Sequence, residues 1–117
     1  MSVNGSGERV MIAVMIASAI WAAAFQSAAA DGARTALRTC IKSASAEAKT
    51  QKIANDAVGA FIRQKCTAQE TTFKSAVWAF DSKNKVSKKQ SESDVNFQIE
   101  DFVTSAADRY AMESAPQ

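Results

Sequence analysis

Cys40 and Cys66 are the only cysteines in the chain, with twenty-five residues between them, and they are its clearest candidates for chemistry. Three chemistries compete. A zinc site needs four ligands drawn from Cys, His and carboxylate; the chain has no histidine, so two cysteines are half a site. A thioredoxin-type redox pair needs C-x-x-C, and these residues are far apart. The third use is a staple. A break in the apolar pattern, Lys49 to Asn55, centres a turn near Ile53, thirteen residues from each cysteine. In an antiparallel helical hairpin, residues equidistant from the turn lie side by side. Helix axes about 8–10 Å apart are close enough for a disulfide where the contact residues are small, and alanines surround Cys40. In an oxidising compartment the spacing predicts a Cys40–Cys66 disulfide, stabilising the fold by about 3 kcal/mol in the chain-entropy account.

The residue census excludes most catalysis. Without histidine there is no Ser-His or Cys-His nucleophile. Ser82 to Lys85 matches S-x-x-K, which resembles the serine–lysine motif of penicillin-binding enzymes. The accompanying S-D-N and K-T-G are missing; the nearest stretch is Ser93-Asp94-Val95. The adjacent carboxylates Glu100 and Asp101 point about 100° apart on a helix. Four glycines form neither G-x-G-x-x-G nor a P-loop. The expectation is no enzyme, no metal and no cofactor.

The elements that would position the cysteines read as helix throughout. After Gly32 the chain has one proline, Pro116, and one glycine, Gly59, and no stretch alternates polar and apolar over strand length. Ala33, Leu37, Cys40, Ile41, Ala44 and Ala48 make a narrow, alanine-rich stripe on a first helix over 33–50. Asn55 or Asp56 caps a second helix over 56–84, whose stripe is Val58, Ile62, Cys66, Phe73, Ala76, Val77 and Phe80. A lysine- and serine-rich linker follows, Lys83 to Ser93. Ser91 or Ser93 then caps a third helix over 94–112, with Val95, Ile99, Phe102, Val103, Ala106 and Tyr110 facing inward. The expected fold is all-α: a disulfide-linked antiparallel hairpin plus a third helix, a small three-helix bundle over 31–113 with a tail over 114–117. Arg34, Arg38 and Lys42 on the first helix complement the acidic third helix.

The amino-terminal thirty residues read differently. A polar stretch ending on Arg9 precedes an apolar run, Val10 to Phe25, and Ala28 and Ala30 form an A-x-A arrangement before Asp31. That order predicts a secretory signal over 1–30; an uncleaved membrane anchor is the less favoured alternative. Without Arg9 and Glu8, thirteen Lys and Arg face eleven Asp and Glu. This balance is too weak to point to nucleic acid. The expected location is the periplasm or the medium.

Two features suit partner binding. Trp78 falls off the stripe of its helix, where it either packs on the third helix or anchors a partner. Lys83, Lys85, Lys88 and Lys89 are either a solvated loop or a contact for an anionic envelope surface. The expected function is non-catalytic binding, to another envelope protein or to that surface. The outline is also similar to that of small exported helical proteins with one disulfide, among them periplasmic acid-stress chaperones, so a holdase is the alternative.

Overall fold

In the computed structural model, residues 27–114 are described and contain four helices and no strand. They are α1 over 27–50, α2 over Val58–Lys65, α3 over Thr67–Lys83 and α4 over Lys88–Ser114. The apolar run from Val10 to Phe25 and residues 115–117 lie outside the described residues. Among the described residues no helix is long and apolar enough to cross a membrane.

The helices form three arms that alternate in direction, with α2 and α3 together making the second arm. Cys40 bonds to Cys66, and the Arg34 guanidinium stacks over the Phe73 ring at 5.3 Å, so α1 runs antiparallel to α2 and α3. Gly59 faces Val103 and Arg63 reaches Glu100, so α4 runs antiparallel to that arm in turn. α1 and α4 are therefore parallel, and their register is constant. Arg34 hydrogen-bonds Gln98, Arg38 stacks on Phe102 and Lys49 bonds Glu113, each pair sixty-four residues apart.

The three stripes meet in one core. Leu37, Ile41, Ala44 and Ala48 from α1 pack with Val58, Ile62, Phe73 and Val77 and with Val95, Ile99, Val103 and Tyr110. Burying each of the larger aliphatic and aromatic groups stabilises the fold by about 1.5–3 kcal/mol. Because α1 contributes mostly alanine, the neighbouring arm comes close, and the Cα atoms of Cys40 and Cys66 are 5.9 Å apart.

The elements differ from the sequence reading in four places. The second helix is broken at Cys66, whose φ of −109° and ψ of 19° leave the helical region. The Thr67 hydroxyl donates to the carbonyls of Arg63 at 3.0 Å and Gln64 at 3.1 Å, and such back-bonding bends helices. Second, neither Asn55 nor Asp56 caps α2; Ala57 holds that position without a side-chain bond. Third, the linker is only 84–87, and α4 starts at Lys88, where the Ser87 hydroxyl accepts from the Gln90 amide at 3.1 Å. Ser91 is a buried helical residue and no cap. Fourth, α1 already includes 27–32, and Ala30 packs into the core.

Both long turns use one device. Lys52 (φ 55°) and Lys85 (φ 59°) sit in the left-handed region after α1 and α3. The Ile53 amide then donates to Ala48 at 3.0 Å and the Val86 amide to Asp81 at 3.1 Å. These six-to-one bonds satisfy carbonyls that a helix end leaves open.

Candidate functional site

The cysteine pair is structural in its surroundings. Cys66 is buried and Cys40 half-buried, and the bond joins α1 to the junction of α2 and α3. Arg63 clasps the same junction. Its guanidinium donates to Glu70 at 3.1 Å and to Glu100 at 2.8 Å, tying α2 to α3 and α4. Glu70 is buried, and sequence reasoning passed over it. The available signal was the seven-residue gap in the stripe between Cys66 and Phe73, which a helix fills with Gln69 or Glu70. Among the described residues no group of three or more Cys, Asp or Glu is placed to hold a metal ion.

The residues singled out for partner binding gather at one end of the bundle. Lys83 closes α3, Lys85 lies in the turn, and Lys88 and Lys89 open α4. All four are exposed, and none is in an ion pair among the described residues. Trp78 lies five residues before Lys83 with 36% of its surface open. The register of Arg34 over Phe73 sets the first turn of α1 beside the last turns of α3, so the described chain also begins at this end.

A second surface emerges only from the packing. A groove of about 610 Å³ runs between the parallel helices α1 and α4. Its floor includes Ile41, Ala46, Ala106 and Tyr110, and its walls carry Arg38, Lys42 and Lys49 from α1 and Arg109 from α4. Small residues at Ser45, Ala46, Ser105 and Ala106 leave it open. Lys49 is neutralised by Glu113, and Arg38 lies over the Phe102 ring at 5.4 Å. Lys42 and Arg109 have no carboxylate partner among the described residues. Arg38 to Lys42 is one helical turn, about 6 Å, and Lys42 to Lys49 is about 10.5 Å. The groove therefore presents an apolar base beneath a ladder of positive charge. At its lower end the Tyr110 hydroxyl donates to the carbonyls of Ala48 and Ile53, fixing α4 against the turn after α1.

The disulfide fits a compartment outside the reducing cytoplasm. No known protein family matches this chain, and no curated protein or solved structure is similar to it.

Proposed function

We propose that this is an exported, non-catalytic binding protein of the periplasm or the medium, and that its α1–α4 groove takes an acidic helical segment of a protein. The observation that carries the reading is the ladder of Arg38, Lys42 and Arg109 above an apolar floor. A helix laid in a groove buries its apolar face and sets charges along the rim. Carboxylates at i, i+4 and i+11 would match the rise of Arg38, Lys42 and Lys49 along α1. Export is supported by the disulfide and by the leader-like residues 1–30.

The test is calorimetric titration with a synthetic acidic amphipathic helix of unrelated sequence. The expected result is saturable binding that weakens about tenfold in Lys42→Glu, as a like-charge contact requires. Absence of saturable binding by the monomeric protein removes the groove as the site. A second reading, the stress holdase, is favoured by the exposed side chains of Phe97 and Met112. It requires the helices to separate under acid, and the two readings part on that point.

A further inference from the structure

The cations of the groove have a counterpart on the chain itself. Asp94, Phe97, Asp101, Asp108 and Met112 are all exposed on α4. At 3.6 residues per turn they fall within about 60° of one another, on the side facing away from the core. Phe97 is 75% exposed and Met112 78%, the two most open large apolar side chains among the described residues. The aspartates repeat every seven residues, about 10.5 Å, which is also the separation of Lys42 and Lys49 along the groove.

We propose that the protein forms a two-fold symmetric dimer in which the outer face of α4 from each copy lies in the α1–α4 groove of the other. The proposal rests on the groove-binding reading and names the acidic helix as that of a second copy of this chain.

The constant register of α1 and α4 makes the match checkable. It sets Lys42 level with Ala106, Ala46 level with Tyr110 and Lys49 level with Glu113. A two-fold axis crossing α4 between Val103 and Thr104 runs the two copies of α4 antiparallel. It then brings Lys42 to Asp101 of the second copy, and the Lys49–Glu113 pair level with Asp94 of the second copy. The same operation lays Phe97 of the second copy over the groove floor at Ala46 and Tyr110. Ser105, small and exposed beside the axis, lets the two copies of α4 approach closely. One patch carries both the cations and the anions, which is the self-complementarity a closed two-fold interface demands. α4 has twenty-seven residues and is about 40 Å long. A specific dimer needs on the order of 1,200 Å² buried in total, which sets the length of α4 that must lie in the partner groove.

The experiment is sedimentation equilibrium of the oxidised protein with charge-reversal variants, all at exposed positions and each checked for native helicity. Wild type is expected to be dimeric at micromolar concentration. Asp101→Lys and Lys42→Asp should each weaken the dimer at least about tenfold, and the double variant should recover most of that loss. A single cysteine introduced as Ser105→Cys should cross-link two copies across the axis. Monomeric wild type overturns the proposal, as do a dimer indifferent to both single changes and a double variant that fails to recover. The peptide titration separates the two readings. A monomer that binds the acidic peptide keeps the groove and loses the second copy; a monomer that binds nothing loses both.

Discussion

Single residues set the helix ends of this bundle, and two of them are chemically unexpected. The left-handed positions after α1 and α3 hold Lys52 and Lys85 where glycine would be strain-free. A β-carbon in that region costs about 1 kcal/mol, partly offset by the greater unfolded-state freedom of glycine. Lys52→Gly is therefore expected to stabilise the protein by about 0.5 kcal/mol, read as a higher urea midpoint with an unchanged slope. A lower midpoint would mean that the lysine side chain makes a contact outweighing the strain. Tyr110 acts on the same turn from the other side. Its hydroxyl meets the Ala48 carbonyl, which also accepts the Ile53 amide, so one phenol closes the end of α1 against α4.

Among the elements, the bent arm of α2 and α3 does the most to define the fold, since α1 brings few large apolar side chains to the core. The Cys40–Cys66 bond holds α1 to that arm and closes a loop with a sequence separation of 26 residues. Replacing both cysteines by alanine should cost about 3 kcal/mol, lowering the thermal midpoint by roughly 12–24 °C for a domain of this size. A fall of only a few degrees would show that packing alone holds α1. The hairpin and this bond were legible in the sequence because both follow from distance to a turn and from one-face periodicity. The break at Cys66 was not, because it leaves the apolar period unchanged. The Lys83 to Ser93 stretch was read as linker from composition, yet its second half is helix. Ser91 is buried there, and Ser87 supplies the cap. The groove could not be read at all. Arg38, Lys42 and Arg109 become neighbours only once α1 and α4 lie parallel in one register.

For the whole molecule, the choice between a firm binding surface and an acid-opened holdase comes down to magnitudes. Ion pairs link each arm to the others: Lys49–Glu113 between α1 and α4, Lys65–Glu47 between α2 and α1, and Arg63–Glu100 between α2 and α4. Their side chains are 40–64% exposed, and such pairs contribute about 0–1 kcal/mol each. Even the loss of all three, at most about 3 kcal/mol, would be small against the 5–15 kcal/mol typical of a folded domain. The apolar core and the disulfide do not titrate at all. At about pH 2 the protein is therefore expected to keep its near-ultraviolet circular dichroism and a single cooperative transition. A holdase that opens in acid would instead lose the near-ultraviolet signal while keeping its helicity, and would expose surface that binds a hydrophobic dye. That outcome would replace the firm groove with loosened helices as the working surface.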